Sequence, residues 1–365
     1  MRYFIIAGEA SGDLHASRLM KAIIKEDPAA VFRFQGGDLM AGVAEGLFRH
    51  YGESSFMLLE VLLHLRTILK GMRQVRNELL LFRPDLVILV DYPGFNLPMA
   101  RFGKKHSFRI FYYISPKVWA WKKGRISKIR RDVDRLFVIF PFEVEYFRMR
   151  GVEVEYTGNP LVDAVCEPAG EPALPDDDRP VVALLAGSRK QEIRRMLPLM
   201  LRVAGHFPTC RFVVAGAPSV DRSYYEQFLS GSEAELVMNR TYALLKQSFA
   251  AVVTSGTATL ETALLNVPQV VVYRMGSLTY LIGRMLLKIR FISLVNIILD
   301  RALVKEYIQT RLEERITDEL GRLLTDPDYR VDMKKGYAEL KAMLGEPGGS
   351  ERTGKRMVEL LVEEK

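Results

Sequence analysis

The sequence predicts an α/β protein made of two Rossmann-like domains, each with a parallel sheet. Three observations carry this. Short apolar runs alternate with helical patterns along most of the 365 residues. The alternation stops in a proline- and acid-rich stretch at 166–180 and then resumes. A chain of this length also suits two domains, each able to bury its own core. The domains are placed at 1–165 and 181–345, with a linker at 166–180 and a terminal helical segment at 346–365. Two such halves leave a cleft between them, a common place for a ligand.

Taken in order, Tyr3–Ala7 reads as a strand, Asp13–Lys25 as a helix and Val31–Phe34 as a strand. Val61–Phe82 reads as a long helix. Leu86–Val90, Arg109–Ile114 and Arg135–Phe140 read as strands. In the second half Val181–Leu185, Arg211–Ala215, Leu236–Met238, Ala251–Thr254 and Gln269–Val272 are strands with helices between them. Arg311–Lys365 reads as helices interrupted at Gly345–Gly349.

Composition narrows the class. Hydrophobic residues make up 48% and charged residues 26%, as in globular proteins. The net charge of +8 favours an acidic partner: nucleic acid, a phosphate-bearing substrate or anionic lipid. Cys166 and Cys210 offer no disulfide framework and suit a reducing compartment. The apolar run at Arg2–Ala7 breaks at Gly8, too short for a secretory core. No uninterrupted apolar stretch reaches the ~18 residues of a membrane span. The histidines, His15, His50, His64, His106 and His206, have no metal-ligand spacing, and no Ser/His/Asp hydrolase signature is present. His15, beside the first loop, is a possible substrate contact. The Asp176–Asp178 run reads as solvated linker.

Several stretches suit chemistry. Thr254–Glu261 joins the apolar run Ala250–Val253 to a helical pattern, Ala258–Leu265, through Ser255, Gly256 and Thr257. A strand–turn–helix of this kind points N–H groups and a positive helix end at an anion. Glu261, one turn in, can accept from sugar hydroxyls. The reading is a nucleotide-sugar site, with diphosphate at the helix start and ribose on Glu261; the same residues also suit an ordinary capped helix. Gly8-Glu9-Ala10-Ser11-Gly12-Asp13 opens the first helix, with Ser11 and Asp13 as candidate caps. Asp91, in Asp91-Tyr92-Pro93-Gly94-Phe95-Asn96, ends a strand where ligands of open sheets bind, and suits a general base or a turn cap. In Gly187-Ser188-Arg189, Gly187 permits close approach, Ser188 can cap the next helix, and Arg189 offers a fork of donors to a diphosphate or a surface ion pair.

Two longer segments are basic. Lys117–Arg135 holds Lys117, Lys122, Lys123, Arg125, Lys128, Arg130, Arg131 and Arg135 with Trp119 and Trp121. Such a mixture suits stacked single-stranded nucleic acid, a lipid headgroup surface, or a solvated helix face. Met275–Leu299 has no acidic residue, and Leu278, Leu281, Ile282, Met285, Leu286 and Ile289 recur at helical spacing. That stripe suits acyl chains or a bilayer, and equally core packing. Asn296, Glu306 and Gln309 flank it.

In combination, these stretches resemble the lipid-A-disaccharide synthase family, inverting glycosyltransferases of GT-B architecture. The resemblance runs through nearly the whole chain. It rests on Gly8–Asp13, Asp91–Asn96, Tyr113-Ile114-Ser115-Pro116-Lys117-Val118-Trp119-Ala120-Trp121, Pro141-Phe142-Glu143, Gly187–Arg189, Ser255–Glu261 and Ser293–Asn296. The Ser-Pro-x-Val-Trp-Ala-Trp run is the most specific. Three motifs depart from the family. Gly158-Asn159-Pro160 stands where Gly-His-Pro is common, Val295 replaces a proline, and Gly36-Gly37-Asp38-Leu39-Met40 replaces Gly-Gly-Pro-x-Met.

The resemblance implies transfer from UDP-2,3-diacylglucosamine to 2,3-diacylglucosamine 1-phosphate, giving the β-1,6 lipid A disaccharide 1-phosphate and UDP. It implies no cofactor and no metal. Asp91 and Arg189 would be catalytic. Gly187, Ser188, Arg189, Ser255, Gly256, Thr257, Ala258, Thr259, Glu261, Tyr273, Asn296 and Gln309 would bind UDP-sugar. Ser11, Gly12, Asp13 and Asn96 would contact the acceptor or its loop. Trp119, Trp121, Lys122, Lys123 and Arg125 would face an anionic membrane rather than nucleic acid. The protein would be cytoplasmic and peripheral on the inner face of the bacterial inner membrane, with its oligomeric state open. The last helix would pack back on the first domain. Another UDP-N-acetylglucosamine transferase, a GT-B epimerase, or a non-catalytic membrane-surface protein would share much of this pattern.

Overall fold

The computed structural model describes residues 1–51, 65–118, 124–166, 174–175, 178–274 and 290–363. Trp119, Trp121, Lys122 and Lys123, residues 61–64 of the first long helix with His64, most of the linker, and the stripe from Met275 to Ile289 lie outside the described residues. The chain divides into two compact units, Met1–Asp163 with Glu346–Lys365, and Ala164–Gly345.

Unit 1 holds a seven-stranded sheet in the order β3-β2-β1-β4-β5-β6-β7. Its strands are β1 (Arg2–Ala7), β2 (Val31–Gly36), β3 (Leu47–His50), β4 (Leu86–Val90), β5 (Ile110–Tyr113), β6 (Arg135–Val138) and β7 (Val154–Tyr156). All neighbouring pairs are parallel. The connecting helices are α1 (Ala10–Glu26), α2 (Asp38–Ala41), α3 (Leu65–Phe82), α4 (Pro93–Lys105), α5 (Arg125–Asp132), α6 (Pro141–Arg148) and α7 (Pro160–Cys166). A parallel sheet is covered on both faces, so its central strands read as unbroken apolar runs. Every residue of β4, Leu-Val-Ile-Leu-Val, is buried. Phe4, Ile6, Val87 and Leu89 pack against Val75 and Leu79 of α3 and Phe95 and Met99 of α4.

Unit 2 holds a six-stranded sheet in the order β10-β9-β8-β11-β12-β13, again all parallel. The strands are β8 (Val181–Leu185), β9 (Arg211–Gly216), β10 (Glu235–Met238), β11 (Ala250–Thr254), β12 (Gln269–Tyr273) and β13 (Glu306–Ile308). Its helices are α8 (Lys190–Ala204), α9 (Arg222–Leu229), α10 (Thr241–Gln247), α11 (Thr257–Leu264), α12 (Leu294–Leu299), α13 (Leu312–Thr325) and α14 (Pro327–Leu344). Ala183, Leu185, Val213, Ala251 and Val253 form the sheet side of one core cluster, with Leu244 and Leu245 of α10 against them.

The α/β class and both parallel sheets match the sequence reading. The strands it lacks are β3, β7 and β13, which all lie at sheet edges. They are short, and most of their residues are only half-buried. An edge strand buries too little to need an apolar run. The first helix also differs. It starts at Ala10, with Glu9 at the N-cap and no side-chain cap. Ser11 and Asp13 therefore lie inside the helix and do not cap it.

The last helix, α15 (Gly349–Glu363), belongs to unit 1 and packs along α1. One carboxylate fixes its start. Asp163 accepts from the backbone N–H groups of Gly348, Gly349 and Ser350 at 2.7, 3.0 and 2.8 Å. These are donors that a helix start leaves without intrahelical partners. Arg352 closes the same corner, donating to the carbonyls of Thr157, Pro347 and Glu346. Asp163→Ala is expected to destabilise unit 1 by about 2 kcal/mol, the upper range for a lost cap. A urea titration followed at unit 1 should show a lower midpoint at unchanged slope.

Candidate active site

Both sheets place their first strand centrally, and the chain reverses direction beside it. Such a reversal opens a crevice beyond the carboxyl ends of the two strands involved. In unit 1 those strands are β1 and β4, and in unit 2 they are β8 and β11. The predicted motifs follow these four strand ends.

In unit 1, Ala7 pairs with Val90, so the loops at Gly8 and Asp91 leave the sheet side by side. A side chain at Gly8 would collide with the Tyr92 ring, 2.1 Å from a built Cβ, so only glycine lets that ring cover the loop. Asp91 and Tyr92 both adopt left-handed backbone angles, φ 44° and 47°. Non-glycine residues rarely do so, and such strain gathers at functional sites. The turn is held from below. Asn96 donates to the Asp91 carbonyl at 2.7 Å and the Val90 carbonyl at 3.1 Å, and the Tyr112 hydroxyl donates to the same Asp91 carbonyl at 2.5 Å. These three bonds use backbone carbonyls and not the Asp91 side chain.

That carboxyl is half-buried, and burial pushes its pKa up to about 6. The Lys117 ammonium pulls it down, Glu9 pushes it up, and a Tyr92 backbone N–H and the Arg125 guanidinium pull it down again. A carboxyl poised near the working pH, with two cations beside it, can take a proton from a hydroxyl.

Other unit 1 residues hold loops in place. Asp13 is buried, and its carboxylate accepts from Gly37, Leu39 and Met40 N–H groups at 2.7, 3.1 and 3.2 Å. It orders the Gly36–Met40 loop, and its oxygens are already engaged. Asn96 is fully buried, its amide N–H groups engaged at the strand ends, so it positions the Asp91 turn. Ser11 is exposed, and Gly12 is buried, where a built Cβ would lie 3.4 Å from the Ala7 Cβ. Glu143 ties two motifs together: it accepts from Ser115 Oγ at 2.6 Å and from the Phe140 N–H at 3.1 Å. Asn159, at the departing Gly-Asn-Pro motif, donates to the Ile139 carbonyl and caps Leu161 N–H.

In unit 2, Gly187 has φ 114°, and a Cβ there would meet the Glu192 side chain at 2.6 Å. Glu192 curls back to accept from the Ser188 N–H at 3.0 Å. The N-cap of α8 is Arg189, with no side-chain cap, so Ser188 does not cap that helix. The Arg189 guanidinium is half-exposed and lies 3.9 Å from Glu192, a loose pair. Burial raises the Tyr273 hydroxyl pKa, Glu192 raises it further, and Arg189 and Arg195 lower it, so these groups share one corner. Gln309 has φ 68° and donates its N–H to the Tyr273 carbonyl at 3.2 Å.

At the end of β11, Gly256 and Thr257 are exposed and open α11, while Ser255 Oγ donates to the Ile292 carbonyl at 2.7 Å. The first turn of α11 thus presents backbone N–H groups outward, as an anion site requires. Burial raises the Glu261 carboxyl pKa, and a hydrogen bond from Tyr242 at 3.3 Å lowers it. Two of the predicted contact residues are bonded within the chain. Thr259 is fully buried, with its hydroxyl bonded to the Gly256 carbonyl and accepting from Leu294 N–H. Asn296 is buried with both ends of its amide satisfied: it donates to Val304 and Glu306 and accepts from Leu303 and Val304. Glu306, which also holds Ile292 and Ser293 N–H groups, locks that loop.

The reading of the sequence missed Glu192 and Tyr242. Glu192 lies one turn into a helix, a spacing that commonly reaches back to the helix start. Tyr242 carries no such signal, because its loop meets Glu261 only through the fold.

The sequence pattern described as "Lipid-A-disaccharide synthetase" matches residues 3–347. The chain belongs to the lipid-A-disaccharide synthase family. It is 40% identical over 362 residues to the lipid-A-disaccharide synthase of Syntrophus aciditrophicus, covering 95% of this chain and 94% of that one. It is 38% identical over 374 residues to that of Geobacter sulfurreducens, covering 99% and 97%. Among solved structures it resembles a UDP-GlcNAc 2-epimerase from Neisseria meningitidis bound to UDP-GlcNAc, with TM-score 0.70, 15% identity and full coverage of both chains. It also resembles the glycosyltransferase of kitacinnamycin, with TM-score 0.64, 13% identity, and coverage of 99% and 98%. Those neighbours share the GT-B fold. As a lipid-A-disaccharide synthase by family, the chain is a glycosyltransferase.

Proposed function

We propose that this family member transfers the sugar of UDP-2,3-diacylglucosamine to the 6-hydroxyl of 2,3-diacylglucosamine 1-phosphate. Asp91 takes the hydroxyl proton as that oxygen attacks the anomeric carbon. The bond from the anomeric carbon to the diphosphate oxygen breaks on the opposite face, and UDP leaves with the electron pair. Configuration therefore inverts to β. The observation that carries the assignment is the Asp91 turn, strained, braced by Asn96 and Tyr112, and with its carboxyl lifted by burial.

Unit 2 receives the departing UDP. Charge grows on the diphosphate in the transition state, where preorganised donors act most strongly. The N–H groups at Thr257–Ala258, the helix end behind them, Ser188 and Arg189 supply those donors. Glu261 accepts from the ribose hydroxyls, held by Tyr242. Tyr273 and Gln309, joined at adjacent strand ends, line the sugar side.

Both substrates carry acyl chains, so work at a membrane surface fits this chemistry. Among the described residues no helix is long and apolar enough to cross a membrane. Arg125 lies on the basic helix α5, with Arg130 and Arg131 in its last turn. Such a face, held on the cytoplasmic side of the inner membrane, would meet anionic headgroups.

The anomeric configuration of the product tests this reading. A proton spectrum of the purified disaccharide should show the large β coupling at the new linkage. An α product, or a free monosaccharide, would reject the single displacement.

A further inference from the structure

Arginines in unit 2 are generally paired. Arg202 meets Glu313, Arg211 meets Glu235, Arg301 meets Glu339, and Arg322 meets Asp326. Arg194, Arg195 and Arg274 depart from this. No hydrogen bond or ion pair among the described residues involves their guanidinium groups. All three line one groove of about 250 Å³, together with Arg202 and the apolar floor of Pro198 and Leu199.

Helical spacing explains the convergence. Arg194, Arg195, Pro198 and Arg202 recur on one side of α8, and Arg274 enters directly after β12. Arg202 is already balanced by Glu313, but the guanidinium groups of Arg194, Arg195 and Arg274 around so small a space repel one another unless an anion joins them. Planar guanidinium forks match the oxygens of phosphate, and several forks suit a dianion. The floor of proline and leucine suits the start of an acyl chain or a sugar face.

We infer that this groove binds the phosphate monoester of a lipid, as a site distinct from the diphosphate loops at Ser188–Arg189 and Ser255–Thr257. Arg195 borders both, because it also acts on the Tyr273 hydroxyl. The inference rests on the proposed reaction for the nature of one source. The acceptor carries a phosphate monoester, and a bilayer offers the same group on phosphatidate.

The test separates the sources. Arg194→Gln/Arg274→Gln is compared with wild type by calorimetric binding of 2,3-diacylglucosamine 1-phosphate in neutral detergent micelles. Binding of the same lipid without its phosphate is measured alongside. Co-sedimentation with phosphatidate vesicles forms the second arm. An at least tenfold loss of affinity for the phosphorylated sugar lipid, with no change for the dephosphorylated one, assigns the groove to the acceptor. Loss of vesicle binding alone assigns it to bilayer phosphate. Wild-type behaviour of the variant in both arms overturns the site. Binding needs no turnover, so this result stands apart from the proposed reaction. UDP affinity, unchanged in the variant, shows that the fold is intact.

Discussion

Asp91→Asn is expected to lower kcat by about 100-fold or more, the scale of a lost general base. The substitution keeps size and shape, and the turn is held through the Asp91 carbonyl, which asparagine retains. KM for either substrate should change little. The pH profile sharpens the expectation. Burial lifts the Asp91 pKa to about 6, so kcat/KM of the wild type should rise with unit slope up to about pH 6 and then level. The variant should lack that limb. Stability runs the other way. A carboxyl whose folded pKa is raised holds its proton more tightly in the native state, so ionising it costs stability as pH rises toward 6. Asp91→Asn removes that cost, and the variant should be at least as stable as wild type at pH 7. Lost activity together with lost stability would mean that Asp91 serves the turn.

Arg189→Ala carries the second large effect. Its guanidinium is half-exposed at the N-cap of α8, where a fork of donors can meet the diphosphate. Removing one donor to developing charge lowers kcat by roughly 10²–10³-fold in comparable sites. The loss should fall on kcat and on kcat/KM for UDP-sugar, with acceptor KM unchanged. Lysine should restore only part of it, since it keeps the charge and lacks the fork. Steady-state kinetics at saturating acceptor measure this. A change below about threefold would return Arg189 to a surface ion pair, whose usual worth is about 0–1 kcal/mol.

The architecture was legible because buried parallel strands must be apolar throughout. β4 and β11 announce themselves in this way, and the turns that follow them carry the chemistry. The edge strands β3, β7 and β13 were not legible, since half-exposed residues follow no strict pattern. Site residues divide along a similar line. Asp91 and Arg189 follow strand ends, and neither side chain is fully buried. Asp13, Asn96, Thr259 and Asn296 stand in equally suggestive motifs, yet each is buried and bonded to the chain's own backbone. A motif shows that a polar group is needed at a place. It does not show whether the group faces substrate or holds the loop that does. Glu143 makes the same point: the Ser-Pro and Pro-Phe-Glu motifs are one hydrogen-bonded unit.

The most direct test of the central claim is UDP release by the purified protein in detergent micelles, with both acylated sugars or with either alone. The account predicts release only when both are present, in a one-to-one ratio with disaccharide. Release from UDP-2,3-diacylglucosamine alone at the same rate would contradict transfer to a second sugar.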